Sequence, residues 1–222
     1  RWIDPAIDTV ANMAAKASRM ALRRAGLVEK DIDFIVFATI TPDYFFPGSG
    51  VLLQRELGLD GKIAAMDIRN ACSGFIYALS VADQFIKTGM YNNVLVVGAE
   101  IQSTALDIST RGRNTAVIFG DGAGAVVLQP ANSPGILSTH LHSDGHFAEE
   151  LYVKDPGSSR PHNERQPDQI LDTSTYKVVM NGNQVFKHAV VRFMEVINEA
   201  LRANNLQRTD INLLVPHQAN LR

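Results

Sequence analysis

Cys72 is the only cysteine of this chain, and it stands among small residues in Asn70-Ala71-Cys72-Ser73-Gly74-Phe75. Before it, Ile63, Ala64, Ala65, Met66 and Ile68 compose a short apolar strand. After it, Phe75, Ala78, Leu79, Ala82, Phe85 and Ile86 recur at helical spacing until Gly89. A thiol at a helix N-terminus feels the positive end of the dipole and nearby unpaired N–H groups, which favours the nucleophilic thiolate. The small neighbours let a substrate carbonyl approach the backbone closely. On local context alone, the same cysteine also reads as an inert buried hydrophobe.

His217 is the natural partner for a thiolate. It follows the apolar run Ile211-Asn212-Leu213-Leu214-Val215-Pro216, at the C-terminal end of an expected strand, where open α/β sheets collect ligands. It reads either as the histidine that thiolate chemistry needs or as one that closes a strand. His140 and His142 alternate along another expected strand, 135–142, with His146 after a plain Asp144-Gly145 turn. No fourth ligand accompanies them, so no metal site is expected. His162 lies in a polar stretch, 156–169, that reads as a long surface insertion, and His188 lies at a helix edge. Gly120-Asp121-Gly122-Ala123-Gly124 follows an expected strand at 115–119. It leads into the β pattern Ala125-Val126-Val127-Leu128 rather than a helix, so it predicts a strand-to-strand turn and not a phosphate cradle.

The elements that must position these residues alternate. A helix runs from Ala11 to Ala25 and stops at Gly26. Strand 33–38, helix 51–55, the strand and helix around Cys72, and strand 93–97 follow. Buried strands separated by helices predict a mainly parallel sheet covered on both faces. Late in the chain the text repeats. Leu22-Arg23, Leu27, Asp31-Ile32 and Val36 are matched at one constant offset by Leu201-Arg202, Leu206, Asp210-Ile211 and Val215. Each copy follows an amphipathic helix, the second carrying Phe186, Ala189, Val190, Phe193, Ile197 and Leu201 on one stripe. The match reads as duplication, although two unrelated helix-to-strand connections can share such a pattern. Duplication divides the chain into a first half, 1–131, with the nucleophile, and the start of a second, 132–222, with the histidine. It also places counterparts of several elements outside the chain, so the expectation is an internal fragment truncated at both ends.

Composition narrows the classes. The 222 residues carry a formal net charge of −2, without a basic tail or patch, which argues against nucleic-acid and membrane partners. One cysteine excludes an internal disulfide framework and fits a reducing, cytoplasmic setting. No apolar run is long enough to span a bilayer.

Asp67 through Phe75 resembles the nucleophile segment of thiolase-superfamily condensing enzymes, and 113–124 resembles their next block. His140-Leu141-His142-Ser143-Asp144-Gly145 and Val215-Pro216-His217-Gln218-Ala219-Asn220-Leu221-Arg222 are similar to the β-ketoacyl-acyl-carrier-protein synthase III branch. The resemblance implies a thiolase-like α/β fold of two pseudo-symmetric halves in αβαβα layers. It implies that Cys72 takes an acyl group from acyl-CoA and condenses it with malonyl-acyl-carrier protein after decarboxylation. His217 then stabilises the enolate, and a second donor, an asparagine, lies beyond this chain; Asn220 is too close to His217 to serve as it. By the same resemblance Arg113 contacts CoA, while Met180, Gly182, Asn183, Phe186 and Asn220 meet substrate. Gln218, Ala219, Asn220, Leu221 and Arg222 meet the carrier protein, and Phe46 caps the acyl pocket of a partner in a homodimer. No cofactor beyond the CoA thioester itself is implied. The stretch from Glu149 to Thr175 is longer than the family usually has.

Two other readings stay open. One is a different thiolase-fold acyltransferase, of the secondary-metabolite or hydroxymethylglutaryl-CoA synthase type; the latter carries a glutamate base that the sequence does not place. The other is a non-catalytic module that binds CoA or dimerises.

Overall fold

The computed structural model describes residues 3–4, 7–133, 135–154, 157–158 and 177–219. They fall into two compact units. The first comprises Arg1–Ser103, Gly120–Leu141 and Val215–His217, and the second comprises Thr104–Phe119, His142–Leu214 and Gln218–Arg222.

In the first unit, α1 (Val10–Ala25) starts where Thr9 caps it by accepting the Asn12 N–H at 3.1 Å. It stops at Gly26, whose φ of 70° is left-handed. Strand β1 (Phe34–Ala38), helix α2 (Ser49–Glu56), strand β2 (Ala64–Ile68), helix α3 (Gly74–Lys87) and strand β3 (Val94–Glu100) follow. The second unit contributes the short α4 (Arg113–Ala116), and β4 (Gly122–Leu128) returns to the first. The sheet order is β2-β1-β3-β4, with the first three parallel and β4 antiparallel to β3.

Period-2 alternation assigns the two faces. Ile35, Phe37, Leu95 and Val97 are buried with Val10, Ala14 and Leu22 of α1 and Leu53 of α2. Phe34, Val36, Val94 and Val96 are buried on the other side with Ala78 and Ala82 of α3. Each large side chain so buried contributes about 1.5–3 kcal/mol before conformational entropy is counted. The sheet is therefore the expected parallel core with helices on both faces, closed by one antiparallel strand.

The 115–119 run is not a strand. Residues 113–116 form α4, and the Thr115 hydroxyl donates to Gly112 O at 2.9 Å. β-branched Thr and Val suit a strand, but a 3₁₀ turn at Thr110–Gly112 feeds this segment into a helical turn instead. The Gly120–Gly124 segment is accordingly no strand-to-strand turn: Gly122 already pairs with Glu100 and Gly124 with Gly98.

In the second unit, a 3₁₀ helix (Gly145–Glu150) leads to β5 (Leu151–Tyr152), which pairs antiparallel with β6 (Val179–Met180). Helix α5 (Gly182–Ala203) follows, and none of its residues is fully buried. The expected strands at 135–142 and 211–216 do not form, and Leu213 and Val215 are 78% and 77% exposed. A strand exists only as part of a ladder, and among the described residues none pairs with either segment.

The repeated text nevertheless has repeated geometry. After α1, Leu27 N donates to Leu22 O at 3.0 Å; after α5, Leu206 N donates to Leu201 O at 2.9 Å. Gly26 and Asn205 are both left-handed, at φ 70° and 54°. Asp31 accepts the Val28 N–H at 2.9 Å and Asp210 accepts the Gln207 N–H at 2.8 Å, each closing a 3₁₀ turn.

Candidate active site

Cys72 stands at the junction that its neighbours predict. β2 ends at Ile68, a 3₁₀ turn spans Ala71–Ser73, and α3 begins at Gly74. Ala71, directly before the thiol, has φ 47°, a left-handed conformation that costs a residue with a Cβ about 1–2 kcal/mol. The Ser73 hydroxyl pins the turn by donating to Asn70 O at 2.9 Å.

Glycines seat the helix on the sheet. A Cβ on Gly74 would lie 3.4 Å from Ala38 Cβ, and one on Gly98 would lie 3.2 Å from Phe75 Cδ2. Thr39 N donates to Ile68 O at 3.1 Å, extending the β1–β2 ladder beneath the turn. Cys72 is thus held at the C-terminal ends of the parallel strands.

The thiol is exposed, but its electrostatics reverse the expectation. Crowding by surrounding protein pushes it above its ordinary value of 9.0, its own backbone amide pulls the other way, and the charge of Glu100 pushes it further up. Desolvation first, and the Glu100 charge after it, oppose a thiolate.

Glu100 is the residue that sequence reasoning missed. It ends β3, and its carboxylate accepts the N–H of Ile40 at 2.9 Å and of Thr41 at 3.1 Å. It also accepts the hydroxyl of Thr39 at 3.3 Å and that of Thr41. Ile101 N donates to the Thr41 oxygen at 2.8 Å, so the single hydroxyl proton of Thr41 is free to point at Glu100. Burial pushes Glu100 above the usual carboxylate range, and these donors, the Thr41 hydroxyl foremost, pull it back. Its partners lie some sixty residues away, so only the ordering of β1 beside β3 reveals the cluster.

Asp67, quoted in the cysteine motif, has a positional role. Its carboxylate accepts the N–H groups of Ser49 and Gly50 at the start of α2, the latter at 2.8 Å. A Cβ on Gly48 would lie 2.7 Å from it.

His217 is exposed and follows no strand, and it falls in the same compact unit as Cys72. Gln218 and Ala219 are exposed and belong to the second unit; Asn220, Leu221 and Arg222 lie outside the described residues. Within the second unit Met180 and Gly182 adjoin at the β6–α5 corner, where a Cβ on Gly182 would meet Met180 Cε at 3.5 Å. Asn183 and Phe186 are exposed on the first turns of α5, and exposed Arg113 opens α4. Phe46, in the first unit, is 81% exposed, with its ring edge-on to Phe45 at 6.5 Å.

Each of the other described histidines has a local partner. His140 Nε2 is 2.8 Å from Ser138 Oγ, and His142 Nε2 is 2.6 Å from Glu199 Oε2. His146 pairs with Asp144 at 2.9 Å, and His188 stacks against Phe147 at 3.9 Å. His162 lies outside the described residues. Among the described residues no group of three or more His, Cys, Asp or Glu could hold a metal ion, and no helix is long and apolar enough to cross a membrane.

The model of the 3-oxoacyl-[acyl-carrier-protein] synthase III family matches residues 66–145, the stretch from β2 through the histidine block. The whole chain is 46% identical to the β-ketoacyl-[acyl-carrier-protein] synthase III of Methylococcus capsulatus, of which it covers 65%. It superposes along its full length on the 3-oxoacyl-[acyl-carrier-protein] synthase III of Aquifex aeolicus with a TM-score of 0.86 at 38% identity, covering 64% of that chain. A priming β-ketosynthase from a polyketide biosynthetic pathway superposes with a TM-score of 0.87 at 33% identity, 63% of it being covered. The chain thus spans a little under two thirds of the length of the proteins it matches, and its fold over that stretch is the thiolase-like α/β fold.

Proposed function

Starting from a chain that belongs, over the stretch it shares with them, to the β-ketoacyl-acyl-carrier-protein synthase III family, we propose that it performs a decarboxylating condensation with Cys72 as the nucleophile. The carrying observation is the placement of this sole cysteine. It stands on a strained strand-to-helix turn at the C-terminal ends of three parallel strands, in a chain that follows such relatives from end to end.

In this reading the Cys72 sulfur attacks the thioester carbon of an acyl-CoA. An S–C bond forms, the bond to CoA sulfur breaks, and CoA leaves with the thiol proton. Malonyl-acyl-carrier protein then loses carbon dioxide, and its carbanion attacks the acyl-enzyme. The new C–C bond gives a β-ketoacyl product and returns the cysteine. His217 donates a hydrogen bond to the thioester oxygen as negative charge develops there. Arg113 contacts CoA, while Met180, Gly182, Asn183 and Phe186 flank the pantetheine arm. Gln218, Ala219, Asn220, Leu221 and Arg222 meet the carrier protein, with Arg222 supplying charge.

The protein acts as a cytoplasmic homodimer, and a Phe exposed as fully as Phe46 supports a role for that loop against a partner chain. The division at 1–131 and 132–222 expresses an ancestral duplication, which the matched turns after α1 and α5 support. The chemistry needs no metal or further cofactor.

The likeness to a polyketide priming β-ketosynthase supports a second reading, in which the same condensation starts a secondary metabolite. Product analysis with acetyl-CoA and longer or branched acyl-CoAs, each with malonyl-acyl-carrier protein, distinguishes them. Fatty-acid initiation predicts efficient β-ketoacyl formation from a short primer, lost in Cys72→Ala. Turnover with unusual primers alone favours the second reading, and no turnover with any primer rejects both.

A further inference from the structure

The connection from β1 to α2, residues 39–48, is fastened at both ends and bare in the middle. At its start, Glu100 accepts the N–H groups of Ile40 and Thr41 at 2.9 and 3.1 Å, and the Thr41 oxygen accepts the Ile101 N–H at 2.8 Å. Asp43 then accepts Val10 N at 2.7 Å through one oxygen and Ala11 N at 2.9 Å through the other. Both N–H groups belong to the first turn of α1, where no carbonyl of the helix reaches them. At the far end Asp67 accepts Ser49 N and Gly50 N, and a Cβ on Gly48 would lie 2.7 Å from that carboxylate.

Between Asp43 and Gly48 stand only Tyr44, Phe45, Phe46 and Pro47, all exposed, with Phe46 the most exposed at 81%. Three consecutive exposed aromatic residues form an apolar patch of the kind that marks a contact. A loose loop loses conformational freedom when it makes such a contact, and fastening its flanks removes much of that cost beforehand. The loop leaves the sheet at the same end as the nucleophile turn, one strand away, and Thr39 N donates to Ile68 O at 3.1 Å. A ring as exposed as Phe46 covers little of its own chain, so any wall it forms belongs to a second copy.

We propose that Asp43 is a positioning residue for primer selection: by tying the loop to α1 it holds the Tyr44-Phe45-Phe46 tip in the shape in which Phe46 closes the acyl site of a second copy against long chains. The inference rests on the reading of that loop as meeting the acyl pocket of a partner chain. Without Asp43 the tip keeps its hold at Thr41 and Gly48 but loses the tie between them, so the end wall yields while the chemistry at Cys72 is untouched.

The test is a competition between equimolar acetyl-CoA and octanoyl-CoA for Cys72, read as the ratio of the two acyl-enzymes by intact mass. In each, the S–C bond forms and CoA leaves with the thiol proton. Asp43→Ala removes the tie, Asp43→Asn keeps one acceptor oxygen, and Phe46→Ala removes the wall itself. Thr9→Ala weakens the start of α1 but leaves Asp43 in place, so it reports a merely structural effect. Circular dichroism establishes which variants fold. The expected result is that Asp43→Ala is still acylated, with the ratio moved about fivefold or more toward octanoyl. The shift is in the same direction in Phe46→Ala, smaller in Asp43→Asn and absent in Thr9→Ala. Chymotrypsin cleaves the tip faster in Asp43→Ala than in Thr9→Ala.

A moved ratio in Phe46→Ala with an unmoved one in Asp43→Ala overturns the proposal alone, as does an equal shift in Thr9→Ala or loss of the fold in both Asp43 variants. An unmoved ratio in Phe46→Ala overturns the reading of the loop as a cap, and the proposal with it. No acylation of the wild-type protein removes Cys72 as the nucleophile and the proposal together.

Discussion

Phe75, three residues beyond the thiol, lays its ring over Gly98 so closely that a Cβ there would stand 3.2 Å from Cδ2. That contact sets how far the start of α3, and with it Cys72, sits above the sheet. Gly98→Ala needs a shift of only a few tenths of an ångström, whereas Gly98→Val overpacks the site. The valine variant is expected to lose about 1–3 kcal/mol in urea unfolding, together with most acyl transfer. Retained acyl transfer in that variant removes the contact from the account of the site.

Asp67 and Gly48 form a coupled pair at the start of α2. Gly48→Ala is expected to cost about 1–3 kcal/mol because the new methyl meets the Asp67 carboxylate. Asp67→Ala costs about 1–2 kcal/mol through loss of the cap. In the double variant the glycine substitution adds little, which gives a coupling energy of about 1 kcal/mol or more by denaturant titration. Simple additivity would show that the pair does not couple.

Gly26 and Asn205 occupy matched left-handed positions. No atom would crowd a Cβ on Gly26, so only backbone strain opposes substitution. Gly26→Ala is expected to cost about 1 kcal/mol and Gly26→Asn much less, since asparagine fills the equivalent place in the second copy. Equal losses in the two variants contradict the matched geometry.

Asp107 titrates at about 2, held low first by the Ser109 hydroxyl and then by the Arg111 guanidinium at 2.8 Å. A carboxylate depressed in the folded state adds stability above its ordinary value of 3.8, and this is lost as pH falls toward about 2. Ser109→Ala and Arg111→Ala are each expected to move the Asp107 side-chain resonance midpoint upward, and a midpoint unmoved in both removes these causes.

The first half was legible because its elements are bounded by local signals. The Leu22 stripe ends at Gly26, and Phe34 to Ala38 is a continuous apolar run. The small-residue block around Cys72 marks the strand-to-helix turn. The failures have one physical origin. Thr115 to Phe119 has strand propensity but takes the conformation that the turn at Gly112 hands it, and 211–216 has strand composition but no ladder partner among the described residues. Glu100 could not be found by spacing, because its meaning comes from strand order; the thiol's upward shift comes first from crowding by the surrounding protein, which spacing does not reveal either.

The most direct test of the account is the intact mass of the protein after incubation with a panel of acyl-CoAs, beside Cys72→Ala. The account predicts a gain equal to one acyl group for at least one donor, absent from the alanine variant and discharged by malonyl-acyl-carrier protein. No gain with any donor, or an equal gain in Cys72→Ala, contradicts Cys72 as the acyl-carrying nucleophile.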